Sequence, residues 1–149
     1  MSEHRATIAW RSDGAFRENR YSRAHSLSFD GGAEVRGSSS PSVVPEPLSD
    51  PAGVDPEELL VASASSCHML WFLDLARQAG LDVAAYRDEA VGAMGRLDGR
   101  IAITRITLRP RIEFAGEAPD AEALARLHHE AHERCFIANS LKTEVVVEG

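Results

Sequence analysis

Cys67 and Cys135 are the only thiols in a chain of 149 residues. Such a pair suits peroxide reduction. A thiolate attacks the O–O bond of a peroxide and becomes a sulfenic acid, and a second thiol condenses with it to a disulfide. The chemistry needs the two cysteines within about 4 Å at Cβ in one state. It also needs a neighbour that favours thiolate at neutral pH. The plainer reading is two unrelated buried thiols, because a cysteine in an apolar helix usually serves as a small hydrophobe. Arg23 is the first candidate for the neighbouring cation and Arg20 the next. Glu57 and Glu58 could pair with such an arginine and orient it. An acidic first turn is also what a helix dipole favours.

Glu57 and Cys67 are ten residues apart. That is about 15 Å along one helix, so Glu57 cannot touch the sulfur of its own Cys67. Either a long arginine bridges them or the two come from different chains. The second arrangement predicts a dimer with this helix at the interface.

His128, His132 and Cys135 form a rival set. Zinc takes such ligands at helical spacing, and the chain would then be a non-enzymatic dimer that binds a small ligand or zinc. No second compact Cys/His pair completes a four-ligand site. A solvated helix face is the commoner role for such histidines, which the dipole also favours near a helix C-terminus.

The elements that must position these groups follow from pattern. Residues 56–79 read as one long helix, with Asp55 as N-cap, Pro56 at the first position and Gly80 as the stop. Its apolar residues run almost all round, which predicts burial on several sides. Residues 5–11 and 20–29 alternate as strands, and 33–36 is a short third one. Residues 37–53, with four prolines, are a long loop. Residues 82–98 read as a strand broken by small residues. Asp98-Gly99 is a hairpin turn, and 101–114 is a strand with a bulge near 105–107. A helix over 119–134 and a strand over 142–148 close the chain. This order predicts one α+β domain, 1–149, with helices on a mostly antiparallel sheet.

Composition narrows the function. A net charge of -7 argues against nucleic acid as a partner and gives no attraction to anionic lipid. No run of about 18 uncharged apolar residues occurs, so no membrane span is expected. Residues 1–25 lack the apolar stretch of a secretory signal, which predicts a cytoplasmic protein. Thiols there are kept reduced, so two of them suit redox or metal chemistry better than a static staple.

Two stretches carry a family likeness. Asp55-Pro-Glu-Glu-Leu-Leu-Val-Ala-Ser-Ala-Ser-Ser-Cys67 resembles the first cysteine motif of the OsmC/Ohr (osmotically inducible protein C/organic hydroperoxide resistance) family. Cys135-Phe-Ile-Ala-Asn-Ser-Leu-Lys-Thr-Glu-Val resembles its second. The resemblance implies an intertwined α+β homodimer with two main helices and two active sites at the interface. It implies a peroxiredoxin-like thiol peroxidase that reduces organic hydroperoxides, and hydrogen peroxide less well. Cys67 matches the peroxidatic position and Cys135 the resolving one. Glu57 matches the glutamate that positions an arginine, for which Arg23 is the best match and Arg20 the fallback. The reductant in relatives is a dithiol, often a lipoylated protein, and no metal or organic cofactor is implied. The chain departs from the family at Asp55, where asparagine is usual, in the long Ser/Pro-rich loop and in His68 directly after the cysteine.

Overall fold

The computed structural model describes residues 1–149. They form two compact units, residues 1–59 and 60–149. The first holds a three-stranded antiparallel sheet of β1 (Ala6–Ala9), β2 (His25–Phe29) and β3 (Glu34–Gly37), in that order. Leu27, paired with Ile8 and Val35, is its buried apolar side chain. The alternation from Arg20 predicts a longer second strand than the chain forms. β1 ends at Ala9, opposite Ser26, so residues before His25 have no ladder to join. Instead the Trp10 indole N–H donates to Ser22 O at 2.8 Å, and Arg23 N–H to Leu48 O at 2.8 Å.

The Ser/Pro-rich loop folds back on β3. Ser38 N–H donates to Val54 O, and Val54 N–H to Arg36 O. The buried Ser38 hydroxyl accepts from Asp50 N–H at 2.9 Å. These bonds satisfy backbone groups that an irregular loop would otherwise leave unpaired, and they lead the chain to Asp55.

Helix α1 (Pro56–Gln78) starts with a capping box. The Asp55 carboxylate accepts from Glu58 N–H at 2.7 Å, and the Glu58 carboxylate accepts from Asp55 N–H at 3.0 Å. It stops at Gly80, which has φ +80°. Leu81 N–H reaches Ala76 O and Gly80 N–H reaches Arg77 O, the bond pair of a Schellman stop. Within this single chain its buried residues form one stripe of Ala64, His68, Phe72, Leu75 and Ala76. The rest of its apolar girth is not covered by this one chain, Leu70 being 61% exposed. α1 is long and apolar enough to cross a bilayer by length and composition alone, a test that a core helix also passes. A count of uninterrupted apolar residues misses it because Ser63, Ser65, Ser66 and His68 interrupt the run.

In the second unit the stretch 82–98 is two strands, not one. β4 (Val83–Asp88) pairs with β7 (Pro110–Phe114), and β5 (Val91–Leu97) pairs with β6 (Arg100–Leu108). Both ribbons break at one level. Pro110 has no N–H to give, and Arg109 N–H donates to the Asp88 carboxylate at 2.6 Å instead of to a strand. Asp98 (φ +52°) and Gly99 (φ +77°) make the β5–β6 hairpin, as their types predict. The bulge falls at Thr104, between Ile103 and Arg105, beside the expected span. Helix α2 (Ala121–Arg134) is capped by the Asp120 carboxylate, which accepts from Ala123 N–H at 2.8 Å. A short helix α3 (Phe136–Asn139) follows, and β8 (Glu144–Val147) runs parallel to β6. The class is therefore α+β with mostly antiparallel pairing.

Two apolar clusters hold this unit. Ala64, Ile103, Ile106 and Leu108 form one. Phe72, Leu75, Ala76 and Ala131 form the other, which packs α1 on α2. Phe72 is wholly buried at its centre. Phe72→Ala should lower unfolding free energy by about 3–5 kcal/mol, read from urea unfolding; a loss under about 1 kcal/mol would contradict this packing.

Candidate active site

The site is built where α2 turns into α3. Cys135 is at once the C-cap of α2 and the N-cap of α3. Its N–H donates to His132 O at 3.2 Å, its carbonyl accepts from Asn139 N–H at 3.0 Å, and its sulfur accepts from Ala138 N–H at 3.4 Å. The backbone of this residue is thus fixed on both sides, and its side chain is buried. Burial pushes the Cys135 thiol up; the Ala138 N–H opposes that, and the neighbouring Cys67 thiol adds to it.

Cys67 comes from the middle of α1. It is half-buried and free, as Cys135 is free. Its thiol neighbours the Cys135 thiol. On its open side is a cavity of about 330 Å³ lined by Cys67, Leu70, Trp71, Asp74 and Phe136. Trp71 and Phe136 meet edge to face at 5.5 Å, and the Arg134 guanidinium sits 5.7 Å over the Trp71 ring. The Asp74 carboxylate is held by Arg77 at 2.9 Å and Gln78 at 2.7 Å. So one sulfur faces an apolar opening and the other stands behind it. A species formed on Cys67 has a second thiol at hand.

The remaining expected residues are placed differently. The Arg23 guanidinium lies 3.6 Å over the Tyr21 ring and donates to Tyr21 O at 2.7 Å and Asn19 Oδ1 at 2.9 Å. Glu57 is half-buried in the first turn of α1 and forms no ion pair. Arg23 and Glu57 are thus not paired with each other in the single chain. Arg20 is exposed, and its N–H donates to Ala15 O. Glu58 serves the capping box. The zinc set His128, His132 and Cys135 does not assemble, and no group of three or more His, Cys, Asp or Glu side chains has metal-holding geometry. The reason is local: the Cys135 sulfur is turned to Ala138 and Cys67, whereas His128 is turned to α1.

Two cysteines on this α+β frame fit one family, and the OsmC-like protein family model matches residues 49–148. The chain belongs to the OsmC-like family. Among solved structures it is similar to an OsmC-like protein of unknown function from Vibrio cholerae. The two are 50% identical, with 99% of each chain covered and a TM-score of 0.96. It also shares its fold with an organic hydroperoxide resistance protein OsmC from Legionella pneumophila. That match has 12% identity, 100% of this chain and 98% of that one covered, and a TM-score of 0.72. A third is an organic hydroperoxide resistance protein from Elizabethkingia anophelis, at 17% identity, 100% and 97% coverage and a TM-score of 0.71. No curated protein matches the chain.

A feature of this OsmC-like chain that sequence reasoning passes over lies beside the thiols. His68 Nε2 and His128 Nδ1 are hydrogen-bonded at 3.0 Å, with the rings nearly parallel and both side chains buried. Phe72 stacks on His128 at 4.5 Å. A signal exists: His68 stands at helical spacing between Ala64 and Phe72, which marks it as inward-facing. Burial, with His128 and then His132 adding to it, pushes the His68 pKa from 6.5 down to about 4. Burial also lowers that of His128, against the opposing pull of the Asp88 carboxylate.

A depressed histidine pKa means that the unfolded chain binds the proton more readily than the folded one. The stability from neutral His68 is whole above its ordinary pKa of 6.5 and falls away as the pH drops towards about 4. The loss should be on the order of 3 kcal/mol. Urea unfolding between pH 7 and pH 4 measures it. His68→Leu should flatten the dependence, and an unchanged slope in that variant would contradict the assignment.

Proposed function

We propose that this protein is a thiol-dependent peroxidase that reduces organic hydroperoxides through Cys67 and Cys135. The observation that carries the reading is the asymmetry of the two thiols. Cys67 is half-buried and opens on an apolar cavity, whereas its neighbour Cys135 is buried. The Cys67 thiolate attacks the terminal oxygen of the hydroperoxide. The O–O bond breaks, the alkoxide takes a proton and leaves as an alcohol, and Cys67 becomes a sulfenic acid. The Cys135 thiol then displaces water from that sulfur and the S–S bond forms. A dithiol, such as a lipoylated protein, returns both cysteines to thiols by exchange.

Leu70, Trp71 and Phe136 around the opening support an apolar substituent on the peroxide, with hydrogen peroxide a poorer substrate. Arg23 is the cation we assign to thiolate stabilisation, with Glu57 as its orienting carboxylate. The working form is a homodimer. Leu70, Ile101 and Phe136, each more than 60% exposed, support a second copy that covers them. The names borne by the Legionella and Elizabethkingia neighbours agree with this reading.

Replacement of each cysteine separates the steps. Cys67→Ser should abolish consumption of cumene hydroperoxide. Cys135→Ser should allow one oxidation of Cys67, trapped as sulfenic acid, and block turnover by a dithiol. Coupled consumption of peroxide and dithiol measures both. Sustained turnover by the Cys67→Ser protein would refute the proposal.

A further inference from the structure

The buried histidine pair has no part in the peroxide chemistry itself, yet it lies against the frame of both thiols. His68 follows Cys67 on α1. His128 is seven residues, two helical turns, before Cys135 on α2. The His68–His128 bond is the one hydrogen bond between these two helices. On the other side of Cys67, the Ser65 hydroxyl donates to the Asp88 carboxylate at the end of β4, at 2.5 Å. Cys67 is thus bracketed by two polar ties. One holds α1 to the sheet and the other holds it to the helix that ends in Cys135.

The remaining α1–α2 contact is built around Phe72, Leu75, Ala76 and Ala131. Apolar packing is non-directional, so it tolerates small slides of one helix along the other better than a hydrogen bond does. A hydrogen bond weakens steeply away from its preferred distance and angle, and in a dry interior losing it leaves two ring nitrogens unpaired. A disulfide is equally demanding, with an S–S length near 2.0 Å and a narrow Cβ separation. The tolerance that apolar packing leaves is therefore what the imidazole pair can remove.

We propose that the His68–His128 hydrogen bond sets the register of α1 against α2 and so brings Cys67 and Cys135 into disulfide-forming geometry. Both histidines are positioning residues: neither touches a sulfur. The step they serve rests on the peroxidase reading. Cys67 S–OH and Cys135 S–H lose water and leave the S–S bond, the hydroperoxide having supplied the oxidising equivalents. One ring donates and the other accepts, so the accepting imidazole must be uncharged and the bond is lost once both rings are protonated. The groups around them are His132 on α2 and Asp88 on β4, with the Tyr86 ring beyond Phe72.

The test needs no peroxide. Full-length protein is equilibrated with reduced and oxidised glutathione, where protein dithiol plus glutathione disulfide gives protein disulfide plus two glutathiones. The constant reads how well the two thiols are presented to each other. His128→Leu should lower it about tenfold, the worth of one hydrogen bond. His128→Asn, whose amide stands where Nδ1 was, should stay within about threefold of wild type. Should the leucine variant not fold, His128→Gln serves, because it keeps a polar group but moves it off the Nδ1 position; it should also lower the constant.

An unchanged constant in the folded leucine or glutamine protein overturns the proposal. So does an asparagine protein as impaired as the leucine one, or a wild type that forms no disulfide at any glutathione ratio. A wild type that forms the disulfide, with the constant lowered in His128→Leu, but consumes no hydroperoxide refutes the peroxidase reading and supports the clamp.

Discussion

Two sulfurs from distant parts of the sequence must meet, and the rest of the second unit is arranged around that approach. Cys67 arrives on a continuous helix, so its position is set by how α1 packs. Cys135 arrives at a corner, so its position is set by how α2 ends. The packing of Phe72, Leu75, Ala76 and Ala131 joins the two helices. The bonds at Cys135 fix the corner: its N–H is bound by the helix before it, and its carbonyl and sulfur by the helix after it. Neither arrangement alone presents a thiol pair.

The pair is unequal by construction, and the inequality has chemical content. Burial pushes the Cys135 thiol up, which makes it the poorer nucleophile towards peroxide and leaves it as the neighbour that a sulfenic acid on Cys67 would meet. Cys67 keeps an open side lined by Leu70, Trp71 and Phe136. The polar groups near them do not form a metal centre. They are used in pairs, Ser65 with Asp88 and His68 with His128, each tying α1 to a different neighbour. A core that buries two imidazoles whose pKa values burial lowers gives up stability in acid to obtain directional contacts.

Much of this is legible in the amino-acid sequence wherever local chemistry decides the outcome. Asp55, Pro56 and Glu58 announce the start of α1, and Gly80 its end, because caps depend on a few adjacent residues. Asp98-Gly99 announces its hairpin in the same way. What escapes depends on partners elsewhere. The start of β2 is decided by where β1 stops, not by the alternation of residues 20–29. The break between β4 and β5 is decided by Asp88 capturing Arg109 N–H, a contact between two strands. The two cysteines stand out as a pair by motif and chemistry. His68 stands out only as a departure from the motif, because its partner is sixty residues away.

The most direct test of the central claim is a thiol count with intact mass on the full-length protein, before and after one equivalent of cumene hydroperoxide. The account requires both thiols to disappear and the mass to fall by about two hydrogens, the signature of a Cys67–Cys135 disulfide. Two unreacted thiols, or a single oxidised cysteine beside a persistent free one, would contradict it.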